Sequence, residues 1–204
     1  IGMEEAFEGT IHEIERHMEE LGAEELIAAC PDCQHTLKTG LPDVSVRTVW
    51  EALGGRWQPP RLRDGARVAI HDSCKAHHEP DTHAGVRTMI ADAGGIVEDV
   101  EYSRDKARCC GSGGMIYPVD PGLWQKIVRR RAAESELPMI TYCAGCRMAL
   151  ASQGKPAIHI LDFLFSPDWQ ATARAKATGS IARYANRLRT KLAFKRLRPL
   201  AGRS

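Results

Sequence analysis

The 204-residue chain has no long apolar run. Its longest stretch without a charged side chain is the eleven residues Cys109 to Val119, far short of the ~20 needed for a membrane-spanning helix. Nor does it have an even cysteine count. Seven cysteines cannot all be paired inside one molecule, which excludes a closed disulfide framework. The last 34 residues contain no acidic side chain. Ala171 to Ser204 carry ten Lys or Arg, leaving 18 basic against 26 acidic residues in 1–170, a net charge of −8. A body of that sign repels phosphate backbones, so nucleic-acid binding is limited to the tail. There the near-absence of aromatic residues, Tyr184 and Phe194 apart, removes the stacking platforms that single strands require. No nucleic-acid partner is expected.

Apolar residues at 43% and charged residues at 26% are globular values. Phe7, Ile11, Ile14, Met18 and Leu21 recur at helical spacing and predict a helix over Glu4 to Leu21, stopped by Gly22. A short apolar segment, Glu25 to Ala29, leads into Cys30-Pro31-Asp32-Cys33, with a helix expected after the second cysteine. Strands are expected at Val44 to Val49, Arg67 to His71, Ile96 to Tyr102, Met139 to Tyr142 and Ala157 to Leu161. Helices are expected at Thr82 to Ala93 and from Pro121 to Ser135. Strands alternating with helices imply an α/β fold.

Cys30 and Cys143 are 113 positions apart, and Leu37 and Leu150 share that offset. Each Cys-x-x-Cys follows a short strand and precedes a helix and another strand, which predicts two copies of one unit. The expected organisation is residues 1–57 as the C-terminal part of a first unit, a Pro59-Pro60 linker at 58–66, a complete second unit at 67–170, and a basic amphipathic tail at 171–204. The first copy is incomplete at its N-terminus, so the chain is expected to be the C-terminal part of a longer polypeptide or a natural split protein.

The second unit holds Cys74, Cys109, Cys110, Cys143 and Cys146. Thirty-four residues separate Cys74 from Cys109, and thirty-two separate Cys110 from Cys143. Each group is expected at a strand C-terminus or in a glycine loop, where α/β sheets form ligand crevices. Five thiolates converging there call for soft cations, either an iron–sulfur cluster or zinc. Adjacent cysteines can serve one site only if the backbone bends sharply, and Gly111, Gly113 and Gly114 supply positive-φ freedom for that bend. The loop amides are candidate N–H···S donors, and Arg108 and Arg147 are candidate counter-charges. Gly111-Ser112-Gly113-Gly114 lacks the Lys-Ser/Thr ending of a phosphate-binding loop.

Cys-x34-Cys-Cys-Gly-x31-Cys-x-x-Cys resembles the cysteine-rich CCG domain of the heterodisulfide reductases and of glycolate and lactate oxidase iron–sulfur subunits. The resemblance spans roughly residues 1–165. It implies an α/β fold of two pseudo-symmetric CCG-type units, each full motif holding a [4Fe-4S] cluster, noncubane in the heterodisulfide reductases. By that resemblance Cys74, Cys109, Cys110, Cys143 and Cys146 are cluster ligands, and Cys30 and Cys33 match the last two ligands of an incomplete first site. The implied role is an iron–sulfur electron-transfer subunit of a redox complex. Electrons would come from a flavin- or ferredoxin-type partner, and disulfide reduction becomes available if a partner completes the first site. A zinc-stabilised α/β module that binds partners without redox chemistry is the alternative.

His71, His77, His78 and His83 crowd around Cys74, and His71, His77 and His78 are weak candidates for proton or substrate handling. His35, close to Cys33, is a lesser one. In the tail, Ile181, Tyr184, Ala185, Leu188 and Leu192 recur at helical spacing among Arg183, Arg187, Arg189 and Lys191. Such a helix suits an anionic membrane surface, an acidic partner or a solvated terminus. The expected location is cytoplasmic, or peripheral on the inner face of a membrane.

Overall fold

The computed structural model describes residues 3–53, 63, 65–114 and 116–197. It is an α/β protein with two parallel sheets. Helix α1 (Glu4–Leu21) ends at Gly22, whose φ of 61° closes it in the left-handed conformation. Strand β1 (Glu25–Ala28), helix α2 (Pro31–Gly40), strand β2 (Ser45–Thr48) and helix α3 (Val49–Leu53) follow. β1 and β2 pair in parallel, Glu25 against Ser45 to Ala28 against Thr48. Helix α2 starts between the cysteines of its motif, not after them. Pro31 opens it at the first helical position, where a missing N–H costs nothing, so Cys33 lies within the first turn.

The second sheet contains β3 (Arg67–His71), β4 (Ile96–Asp99), β5 (Met139–Thr141) and β6 (Ala157–His159), in the order β4-β3-β5-β6 and all parallel. The helices between them are α4 (Pro80–Asp92), the single turn α5 (Ile116–Val119), α6 (Pro121–Ala132) and α7 (Ala144–Ser152). After β6 come α8 (Ile160–Phe165), α9 (Trp169–Arg174) and α10 (Ser180–Leu197). The sequence pattern did not separate α8 and α9 from their surroundings. The expected Pro59-Pro60 linker lies outside the described residues, except Arg63, Gly65 and Ala66.

Strand alternation sorts the core into two layers. Val68, Ile70, Ile140 and Ile158 face one way, onto Val86, Met89 and Ile90 of α4 and Ile160, Phe163 and Leu164 of α8. Ala69, Met139 and Ala157 face the other way, onto Leu150 of α7 with Ala132 of α6 packed alongside. Trp50, carried by α3, is fully buried in the first of these layers. Its ring meets Tyr142 edge-on, with centroids 5.6 Å apart. Gly85 of α4 lets α3 come this close, because a Cβ there would stand 3.0 Å from the Trp50 carbonyl oxygen. Lys38 reaches across to Glu79 at 2.8 Å. The segment expected as the remnant of a first unit therefore shares its core with the second. At the other end Ala173 of α9 is buried in the same layer, so the exposed part of the tail starts later than Ala171.

Candidate metal centre

The order β4-β3-β5-β6 reverses direction between β3 and β5. Parallel α/β sheets open a ligand crevice at such a reversal, beyond the strand C-termini. Cys74 follows β3 there, in a single 3₁₀ turn (Cys74–Ala76) capped by the Ser73 hydroxyl. Cys143 follows β5 and is the residue before α7. Cys30 stands at the same point between β1 and α2, with similar extended backbone angles.

All seven cysteines are free thiols, and neighbouring thiols shift one another's acidity. Cys30 interacts with Cys33 and Cys143, and Cys143 with Cys146. Cys146 meets Cys110 with 3.0 Å between sulfurs, and Cys109 interacts with both Cys110 and Cys74. Hydrogen bonds from Cys110 and Cys74 hold the Cys109 thiol far below its ordinary range, assisted by the Gly111 and Gly113 amides. Cys143 is lowered in the same way by Cys146 and Cys30, with the Cys146 and Gly145 amides at the start of α7 contributing. Their donors are correspondingly raised: Cys30 by Cys143, Cys74 by Cys109, Cys110 by Cys109 and Cys146 by Cys110. Neighbouring sulfurs this close cannot all ionise alone, whereas a soft cation among them displaces the shared protons.

The double-cysteine loop is built for this placement. Gly111 sits at φ 87°, a conformation L side chains rarely adopt, and its N–H donates to Cys109 Sγ at 3.2 Å. A Cβ there would press on Trp124 and Val128 of α6 at 3.2 and 3.3 Å. Gly114 also has positive φ, but Gly113 does not, contrary to the expectation that all three turn the loop. Ser112 Oγ donates to the Gly145 carbonyl at 2.8 Å and ties the loop to α7.

Below Cys74 the turn is anchored by a buried carboxylate. Arg87 of α4 grips Asp72 through both terminal nitrogens, at 3.2 and 2.8 Å. Tyr142 Oη donates to Asp72 at 3.1 Å, and so does the Arg104 amide at 2.7 Å. Burial raises the Asp72 pKa, but the Arg87 bonds outweigh it and the net shift is downward.

The histidines divide. His71, at the end of β3, is fully buried, and one of its ring nitrogens lies within 4.8 Å of the sulfurs of Cys110 and Cys146. Burial, then Arg131, lowers its pKa to about 3, so the ring is neutral. His77 Nε2 bonds the Ala107 carbonyl at 2.7 Å and braces the chain leading to Cys109. His78 packs edge-on against His77. His35, Cys74, Lys75, His77 and His78 line a cavity of about 220 Å³. His83 is buried beside Arg87, which donates to its carbonyl at 3.1 Å.

Neither arginine expected as a counter-charge serves the sulfurs directly. Arg108 lies over the Tyr102 ring and pairs with Glu134. Arg147 points away, donating to the carbonyls of Ala157, Thr172 and Ala175. The arginine that sequence reasoning missed is Arg131, buried within α6 and donating from Nε to His71 Nδ1 at 2.6 Å. Its signal was positional: Trp124, Val128 and Arg131 recur at i, i+4 and i+7, so Arg131 continues an inward stripe.

The fold and the site define a parallel α/β unit with candidate metal ligands, cysteines among them, at its switch point. A family model described as the CCG cysteine-rich domain matches residues 68–151, from β3 to the end of α7. The matched residues include all five second-unit cysteines. No curated protein matches the chain significantly.

Proposed function

We propose that the centre holds an iron–sulfur cluster and that the protein passes electrons in a redox complex. The observation that carries this reading is the grouping of five thiols, Cys74, Cys109, Cys110, Cys143 and Cys146, each of whose acidity is shifted by another of the five. A four-coordinate zinc site uses four ligands, and this group contains more thiols than that. A polynuclear cluster uses several thiolates at once and supplies one-electron chemistry when bound. Cys74, Cys109, Cys110, Cys143 and Cys146 would be its ligands. The loop and helix amides would carry part of its negative charge, and Asp72, Arg87 and Tyr142 would keep the Cys74 turn in register.

The matching strand–cysteine–helix–strand order around Cys30 and Cys143 supports reading 3–53 and 67–165 as two related units. Cys30 and Cys33 would then be ligands of a second centre that further cysteines complete, with a disulfide as the substrate reduced between the centres. A flavin- or ferredoxin-type subunit is the proposed electron donor. For α10, the exposed apolar stripe flanked by arginines supports contact with an anionic membrane surface.

Anaerobic purification with iron, acid-labile sulfide and zinc analysis tests the reading. The expected protein is brown, with about four irons and four sulfides per chain. A colourless protein with one zinc per chain overturns it.

A further inference from the structure

His71, Cys110 and Cys146 are all buried, and one ligand atom from each lies within 4.8 Å of the others. Taken by distance alone, they form a three-ligand metal site. The hydrogen bond at Nδ1 argues otherwise. Arg131 Nε donates to His71 Nδ1 at 2.6 Å. A guanidinium has donors and no acceptor, so Nδ1 must present its lone pair. The ring proton is then on Nε2, the only other nitrogen. Nε2 is buried and has no hydrogen-bond partner among the described residues. A metal bond at Nε2 would require the ring to give up its one proton and become an anion. A sulfur at Nε2 requires nothing but the N–H already there.

We propose that His71 is an N–H donor to the Cys110–Cys146 end of the sulfur centre, set in that tautomer by Arg131, and is not one of its metal ligands. The inference rests on the iron–sulfur reading above. Arg131 cannot easily turn away. It is buried, its Nη1 donates to the Tyr102 carbonyl at 2.8 Å, and it pairs with Glu134. Strand alternation places His71 on the Ala69 face of β3, the face that packs against α6 and α7. Arginine, imidazole and sulfur therefore form a relay of positive charge into the centre. An N–H···S bond stabilises the more negative, reduced form of a cluster more than its oxidised form, so it raises the reduction potential. His71 and Arg131 are thus positioning residues that set the potential, and the two linked bonds make the effect of each depend on the other.

The test uses the full chain purified anaerobically. Pulsed EPR of the reduced wild-type centre is expected to show a weakly coupled ¹⁴N and, after transfer to D₂O, an exchangeable deuteron near the cluster. His71→Leu is expected to keep its iron and sulfide. Its reduced-to-oxidised ratio at fixed potential should fall about tenfold, equivalent to about 59 mV for a one-electron couple. His71→Asn, which restores an N–H, is expected to recover part of that shift, and Arg131→Met to move the potential in the same direction as His71→Leu. A strong, directly bonded ¹⁴N coupling in the wild type makes His71 a ligand and overturns the inference, as does an unmoved potential in a His71→Leu protein that retains its cluster. The wild-type spectrum decides the matter even if the variants do not fold. A wild-type protein with zinc and no sulfide overturns the iron–sulfur reading itself, a result distinct from either of these.

Discussion

Cys30 and Cys143 shift each other's acidity through a shared hydrogen bond although they lie 113 positions apart. Each stands immediately before a helix, α2 or α7, whose first amides face its sulfur. The Cys30 thiol donates to Cys143, which is held toward the thiolate by Cys146 and Cys30. A thiolate beside a thiol is the arrangement that oxidises most readily. In metal-free protein, diamide is therefore expected to join Cys30 to Cys143 and Cys74 to Cys109, each pair losing two hydrogens to the diamide. Peptide mapping by mass spectrometry reads the pairs, and a metal-loaded sample should resist. Links that instead join Cys33 to Cys74, or that form only between chains, would contradict the sulfur order described here.

Gly111 and Gly113 offer an internal comparison within one loop. At Gly111 the backbone has φ 87° and a Cβ would meet Trp124 and Val128 at 3.2 and 3.3 Å. Gly111→Ala should cost about 1–3 kcal/mol for the left-handed conformation alone. It should also lower bound metal, since the Cys109 sulfur depends on this turn. Gly113 has neither positive φ nor any neighbour within 4 Å of an added Cβ, so Gly113→Ala should stay within about 0.5 kcal/mol of wild type. Denaturant unfolding with metal analysis separates them, and equal effects would remove the geometric argument.

The parts legible in the sequence were those that local pattern controls. α1 and β3 run over the expected residues because helical apolar spacing ends in a left-handed glycine in one case and a compact apolar run ends at His71 in the other. The spacing of the cysteines pointed to one end of a sheet, and β3 and β5 do deliver Cys74 and Cys143 to the switch point. Other features depended on contacts distant in sequence. Trp50 reads as part of a short first-unit segment, yet it is buried under Tyr142, which only the folded chain reveals. Arg131 sits in a run of three arginines that looks like a solvated face; its position on the α6 stripe marks it as internal, but the partner that explains it, His71, is sixty residues away. Arg147 adjoins a cysteine in sequence and leaves it in space, because the carbonyls of α9 offer nearer acceptors.

Arg87 and Arg67 should respond very differently to loss of charge. Asp72 is fully buried, and Arg87 is its ion-pair partner there. Arg87→Met leaves an uncompensated buried carboxylate, so a loss of about 3–5 kcal/mol is expected. Arg67 pairs with Glu98 on the surface of the same sheet, with both side chains largely exposed. Arg67→Met should cost about 0–1 kcal/mol. Equilibrium unfolding measures both, and an Arg87→Met protein as stable as Arg67→Met would mean that Asp72 does not need its partner. The Arg87 variant should also lose metal, because Asp72 anchors the turn that carries Cys74.

Helix α10 leaves Ile181, Tyr184, Leu188 and Leu192 exposed by 87%, 69%, 58% and 49%, at spacings that put them on one stripe. Arg183, Arg187, Arg189 and Lys191 are exposed around it, and none of the described α10 residues belongs to a core cluster. No helix among the described residues is long and apolar enough to cross a membrane. An apolar stripe flanked by cations instead lies flat on an anionic surface, each basic residue near it adding about 1 kcal/mol. Removing residues 179–204 should therefore leave the melting temperature and the metal content unchanged. It should abolish co-sedimentation with vesicles rich in phosphatidylserine, which the full chain should show and which added salt should weaken. Full-chain binding that survives the deletion, or that is as strong on neutral vesicles, defeats the membrane role. A full chain that ignores both kinds of vesicle would transfer the stripe to a protein partner.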